Sequence, residues 1–166
     1  QYFSDPTLDY VYKTHIEIYG NKMGGIFIAK RINDTIHRMV LTTDFGNKLL
    51  DFEVSESSFK VNFIIDNVDK KIIINTLRDD FRTLLQVNSK VFKTYKRNNE
   101  VIYQTENNAY YYFDQVSSNL TKIIKTNKRK EKVIFTFNPK KTTFAENINI
   151  QHNNIKLKID FNQINN

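Results

Sequence analysis

The feature that most constrains this chain is a rhythm of short β-branched and aromatic runs cut by tight turn signals, interrupted only once. Runs of this kind occupy residues 14–19, about 23–32, 36–43, 48–54 and 59–65. Gly20 with Asn21, Asn33 with Asp34, Phe45 through Asn47, and Ser55 through Ser58 fall between them. Gly, Asn, Asp and Ser are the residues that turn geometry favours, so the pattern reads as a meander of hairpins. The rhythm resumes after residue 90 with runs at 91–96, 101–105, 109–113, 120–125, 132–137, 148–151 and 155–161. Turns are expected at 97–100, 106–108, 117–119, 126–131, 138–141 and 152–154. Residues 1–12 are weakly patterned, and Ser4, Asp5 and Pro6 suit either a short capped turn or a frayed end.

The interruption lies between the two halves. Ile73, Ile74, Leu77, Phe81, Leu84 and Leu85 are spaced by one, three, four, three and one residues, which puts all six on one side of a helix. Residues 75–85 are its body, with the start uncertain by a turn because residues 72–74 are β-branched. Asn67 or Asp69 can cap it. About twelve short strands and one helix, with no βαβ alternation, predict a mostly β domain spanning residues 1–166. Its sheet is antiparallel and strongly curved, or an unclosed barrel of about 11–12 strands, with the helix packed centrally against it. The alternating stripes Phe59, Val61, Phe63, Ile65 and Ile155, Leu157, Ile159, Phe161 supply core faces. Residues 36–43 and 109–113 are apolar on both faces and need cover on both sides.

Chemistry is sparse. There are no cysteines, which excludes a Cys nucleophile, a thiolate metal site and a disulfide scaffold. His15, His37 and His152 sit in three different hairpins without metal-type spacing, and each reads as a residue satisfied by a neighbour. Asp79 and Asp80 are adjacent on the helix and therefore diverge; with Arg78 and Arg82 beside them they read as a solvated face. Gly24 and Gly25 lack the rest of a phosphate loop and mark a bulge or close packing instead. No catalytic residue, metal site or cofactor is expected, and the chain reads as a non-enzyme. The net charge is +7, but 19 lysines stand against 6 arginines, which argues against a specific nucleic-acid reader. The basic tip Lys128, Arg129 and Lys130, with Lys125 and Lys132 near it, suits a salt-sensitive contact with an anionic membrane surface. Tyr110, Tyr111, Tyr112 and Phe113 suit core or cavity lining, or a stacking platform if one face is left uncovered. Gln1 is not an initiator methionine, so a removed signal peptide or lipidated cysteine upstream would leave no trace in this numbering.

Several stretches carry a resemblance. They are Gly-Ile-Phe-Ile-Ala-Lys at residues 25–30, the segment 38–53 with Asp44, Phe45 and Gly46 ahead of Leu49, Leu50, Asp51 and Phe52, then Phe59 to Val61, and residues 75–81. Together they resemble Bacteroidetes-type small outer-membrane lipoproteins of uncharacterised function. Their order is also similar to that of the periplasmic lipoprotein carrier and its outer-membrane receptor. The resemblance implies a helix across the mouth of an unclosed barrel whose apolar cavity takes acyl chains. It implies a location in the periplasm or on the periplasmic face of the outer membrane, with a lipid anchor. The receptor's tryptophans have no counterpart, since the chain has none. Taken with the stripes, it makes Phe59, Val61, Phe63, Leu77, Phe81 and Leu84 the expected cavity lining and Arg38 the candidate for a head-group contact. The expected ligand is a lipid or lipoprotein acyl chain. The alternative is a structural or assembly subunit of an envelope complex, with an envelope protein as partner and no small-molecule ligand.

Overall fold

A computed structural model describes residues 1–85, 89–128 and 130–164. Among them are twelve strands and one α-helix: β1 (Asp9–Ile18), β2 (Asn21–Arg31), β3 (His37–Thr42), β4 (Lys48–Val54), β5 (Phe59–Ile64), α1 (Lys71–Leu84), β6 (Val91–Arg97), β7 (Glu100–Thr105), β8 (Ala109–Asp114), β9 (Leu120–Asn127), β10 (Lys130–Lys141), β11 (Phe144–His152) and β12 (Leu157–Gln163). All twelve strands form one antiparallel sheet in the order β5-β4-β3-β2-β1-β12-β11-β10-β9-β8-β7-β6. Consecutive strands pair within β1 to β5 and within β6 to β12, and β1 joins β12, which closes the meander on itself at the termini. The two free edges are β5 and β6, the strands on either side of α1. The sheet is therefore unclosed, and the helix occupies the connection across the opening.

Curvature follows from what the inner face buries. Tyr12, Phe27, Met39, Leu50, Phe52, Phe135, Ile150 and Phe161 join the apolar side of α1 in one continuous core. Phe81 lies 6.0 Å from Phe27 and 5.8 Å from Phe52, ring centre to ring centre, and Phe27 meets Phe161 edge-on at 4.9 Å. Such pairs add ~0.5–1.5 kcal/mol each beyond the area they bury. Gly25 allows β2 to approach β3: a Cβ there would lie 1.8 Å from the Thr42 carbonyl oxygen. The expected close packing is found at this glycine.

The N-terminal residues close one end of the curl. Tyr2 stacks on Phe137 at 5.1 Å and its hydroxyl donates to the Leu120 carbonyl at 2.7 Å. Phe3 packs on Tyr10, and the Phe3 carbonyl lies 2.8 Å from His37 Nε2. This plug explains why β1 starts at Asp9 rather than near residue 14: Tyr10 and Tyr12 gain aromatic partners that the weak local pattern did not announce. Asp5 makes a side-chain turn with Thr7 instead of capping a helix.

Three local expectations are corrected. The helix begins at Lys71, and its N-cap, Lys70, makes no side-chain cap bond; a short 3-10 turn at Asp66–Val68 leads into it, so neither Asn67 nor Asp69 serves as the cap. The turn expected at residues 138–141 is strand: β10 runs to Lys141, with a register shift at Pro139. A bulge is where a sheet tolerates proline's missing N–H. The stripe Phe59, Val61, Phe63, Ile65 is broken by a register shift between β4 and β5. Ile64 consequently stands opposite Leu50, while Phe63 stands opposite Asp51 on the outer face.

Phe81→Ala tests the central packing. Phe81 is fully buried between two phenylalanines, so truncation is expected to cost ~3–5 kcal/mol. A urea melt of the variant measures this, and a loss below ~1 kcal/mol would contradict the packing described.

Candidate functional site

The residues named from sequence do not all meet. Leu77, Phe81 and Leu84 are buried on the sheet side of α1, and Phe59 joins them through Phe52 at 5.1 Å. Val61 packs half-buried against the same core. Phe63 is 42 % exposed, turned outward by the bulge. Arg38 is also on the outer face, since its strand neighbours His37 and Met39 point inward. Its guanidinium donates to Asp51 twice, at 3.1 and 2.8 Å. Lys48 and Asn62 complete the cradle. The Arg38 guanidinium, then Lys48 and Asn62, hold the buried Asp51 carboxyl well below the usual carboxylate range against the opposing effect of burial. Arg38 thus anchors the outer surface of β3 and β4 and does not meet the interior.

The two halves of the sheet are covered unequally. In β1 through β4 the inner residues are almost wholly buried. In β7 and β8 most residues are half-buried, and all seven residues of β6 are exposed. Directly opposed residues share a face of the sheet, so register identifies the inner row of this wing: Phe135, Ile123, Tyr111 and Tyr103 stand in line. Val101 stands opposite Phe113 beside them. Tyr103 meets Phe113 edge-on at 5.5 Å, and burial pushes the Tyr111 hydroxyl up from its ordinary pKa. The inner face of β7 and β8 is therefore an aromatic surface that α1 leaves partly open. The tyrosine run read from sequence as a lining or an uncovered platform is split by alternation, with Tyr111 and Phe113 inward and Tyr110 and Tyr112 outward.

A polar seam runs between α1 and β9 to β11. Asp80 is 1 % exposed and His152 is 4 % exposed, and His152 Nε2 lies 2.6 Å from Asp80 Oδ2. Burial raises the Asp80 pKa, and the hydrogen bond and charge of His152 pull the other way. His152 Nδ1 is buried with no hydrogen-bond partner among the described residues. Nearby, Lys125 Nζ donates to Thr83 Oγ1 at 3.2 Å, and burial lowers its pKa. Two clefts open along the seam, of about 230 and about 220 Å³, and Asp79 and Lys125 line both. Tyr111 lines the first, so the seam adjoins the aromatic wing. His152 lines the second, with Lys132.

The expected solvated face of Asp79 and Asp80 is thus half corrected. Asp79 pairs with Arg78, but Asp80 is buried. The signal was present in the spacing: Ile73, Leu77, Asp80 and Leu84 are four, three and four residues apart, so Asp80 lies on the apolar stripe itself. Lys125 turns to the helix instead of joining the basic tip, Lys128 is exposed at that tip, and Arg129 lies outside the described residues. Among the described residues no group of three or more His, Asp or Glu is placed to hold a metal ion.

No protein-family model matches the chain, and no curated protein does. Among solved structures, the fold is similar to that of a DUF1329 family protein from Desulfovibrio piger, with 8 % identity and a TM-score of 0.54 over 95 % of this chain and 83 % of that one. It is also similar to a LolA superfamily protein from Nitrosomonas europaea, with 5 % identity and a TM-score of 0.54 over 98 % of this chain and 87 % of that one. At these identities the likeness is one of fold, and it bears on the expected architecture of an unclosed sheet with one helix laid against it.

The Asp80 pair generates a pH prediction. A carboxyl whose folded pKa is raised binds more protons folded than unfolded, so its contribution is greatest below the ordinary aspartate pKa and is lost as pH rises toward the raised value. Asp80→Asn removes that titration. Urea midpoints across this window should fall with rising pH more steeply for the native chain than for Asp80→Asn. Parallel profiles would contradict the assignment.

Proposed function

We propose that this protein is a non-enzymatic binding protein of the cell envelope that holds the acyl chain of a lipid or lipoprotein against the inner face of the β6 to β8 wing. One observation supports the reading: Val101, Tyr103, Tyr111 and Phe113 share a half-buried, largely aromatic inner surface that the core covers only in part. Phe59 and Val61 stand on the opposite edge of the opening, while Leu77, Phe81 and Leu84 belong to the wall that α1 adds. Phe63 and Arg38 lie outside this site. Each methylene moved from water onto such a surface gains ~0.8 kcal/mol, so about eight of them supply roughly 6 kcal/mol before the costs of association.

The fold likeness to a LolA superfamily protein supports the same reading, as does the resemblance to lipoprotein carriers and to small outer-membrane lipoproteins noted in the sequence. A periplasmic or outer-membrane location, with a lipid anchor, belongs to this proposal. So does a salt-sensitive attraction to anionic membrane surfaces through the net charge of +7.

Displacement of a fluorescent fatty acid tests the proposal. The native chain should bind the probe and release it to unlabelled fatty acid. Tyr103→Asp, on the inner face, should weaken binding about tenfold or more, because a charge would have to be desolvated beneath the chain. Tyr95→Asp, on the outer face opposite Ile102, should leave it unchanged. If the native chain binds no fatty acid, the protein is instead a structural subunit that uses the sheet as a scaffold for an envelope partner.

A further inference from the structure

We infer that the cleft between α1 and β9 to β11 binds a phosphate group, received by His152, Lys125 and Lys132, as the head-group site of the amphiphile proposed above; the inference rests on that reading for its ligand class. Asp79, Asp80, Lys125, Lys132 and His152 are among the residues that line this cleft of about 220 Å³. Within it, His152 is the informative residue. Its Nε2 is committed to Asp80 at 2.6 Å, and its Nδ1 is buried without a partner among the described residues.

A buried pair with net charge is costly. Where Nε2 accepts from the Asp80 carboxyl, the imidazole hydrogen sits on Nδ1, which then stands as a buried donor without an acceptor among the described residues. Leaving such a group unmatched is unfavourable, and an arriving acceptor relieves it. The fold keeps this cost in place on the apolar stripe of α1, where a leucine would have satisfied packing.

The surrounding charges choose the acceptor. Asp79 is held by Arg78 at 3.0 Å and Asp80 by His152, so both carboxylates of the cleft have cationic or hydrogen-bonding partners of their own. Lys125 donates to the neutral Thr83 hydroxyl, and Lys132 lines the same cleft. Lys125, Lys132 and His152 therefore line one small volume, and an oxyanion with several acceptor oxygens matches their donors. Phosphate fits that description, and a phosphate diester also leads directly to an acyl chain. The seam continues through Lys125 into the neighbouring cleft that Tyr111 lines, so a head group held at His152 lies beside the aromatic wing that would take its tail.

The test follows the imidazole 15N and 1H signals of His152 in the whole chain, identified by their loss in His152→Gln. The probes are inorganic phosphate, phosphatidylglycerol in neutral detergent micelles, and diacylglycerol in the same micelles. Phosphatidylglycerol should shift the His152 signals, and diacylglycerol should not. Lys125→Gln and Lys132→Gln should each weaken the phosphatidylglycerol response about tenfold or more, as the loss of a charge-assisted hydrogen bond implies. Should His152→Gln fail to fold, the losses in His15→Gln and His37→Gln identify the other two imidazoles of the chain and leave His152 as the third. An equal shift with inorganic phosphate would support the site and identify free phosphate as sufficient. No shift with either phosphate, or the same shift with diacylglycerol, would overturn the inference. Fatty-acid displacement is read separately: a chain that takes fatty acid but ignores phosphate loses only this site, and one that responds to phosphate but takes no fatty acid loses only the acyl reading.

Discussion

Everything in this fold depends on how the chain handles the gap between β5 and β6. A twelve-stranded antiparallel meander whose first and last strands pair has one remaining break, and here the break coincides with the one segment of helical periodicity. An unpaired edge exposes a row of backbone donors and acceptors. Closing the barrel would satisfy them, but the connection between β5 and β6 would then no longer cross the opening with α1. Instead, α1 brings Leu77, Phe81 and Leu84 into the curl, where they complete a core that the sheet alone would leave unfilled. The helix is short and lacks a side-chain cap, so its stability comes from this burial and not from local propensity.

The burial is unequal, and the inequality separates two roles. On the β1 to β5 side, inner residues from five strands and the helix interlock around Phe27 and Phe52, leaving that region to hold the fold together. On the β6 to β8 side the cover is thinner, with β7 and β8 mostly half-buried and β6 exposed. Its inner aromatics are half-covered, and its edge strand leaves Phe92 70 % exposed. Local stability follows contact with the core, so the wing is the part of the sheet least tied to global folding and best able to adjust around a ligand.

The architecture was largely legible in the sequence because its determinants are local. Turn residues at Gly20, Asn33 and Gly46 and the stripe from Ile73 to Leu85 each act within a few positions, and alternation in the final strand reports one buried face. What was not legible depends on partners distant in the chain. Phe63 turns outward because β5 slips against β4 between Asp51 and Phe52. Pro139 continues a strand because β11 accommodates a bulge. Tyr2 and Phe3 are core residues only because Phe137 and Tyr10 are there to meet them. Of the residues named for the candidate site, Leu77, Phe81 and Phe59 lie near one another, whereas strand parity puts Arg38 on the outer face, a placement that residue type alone does not announce. Asp80 was misread because adjacency to Asp79 suggested solvent, although its spacing from Leu77 and Leu84 placed it in the apolar stripe.

The position of Asp80 is also the strongest argument that the helix–sheet boundary serves more than stability. A buried ionisable pair rarely outperforms an apolar pair of similar size, and removing one partner of such a pair is far worse than replacing both. Seen only as a fastening, Asp80 and His152 are therefore an expensive choice, since a leucine and a valine would serve the same packing. The expense becomes intelligible if the seam must stay polar while the stripes on either side stay apolar. Asp80, His152, Thr83 and Lys125 together keep a narrow strip of hydrogen-bonding groups between two hydrophobic surfaces. An amphiphile has that same division within one molecule. A pocket lined only by leucine and phenylalanine would hold the tail and exclude the head, and a wholly polar cleft would do the reverse. Setting the strip at the margin of the aromatic wing lets one side of the helix seal the core while the other offers both chemistries at once. Neither requires α1 to leave the sheet.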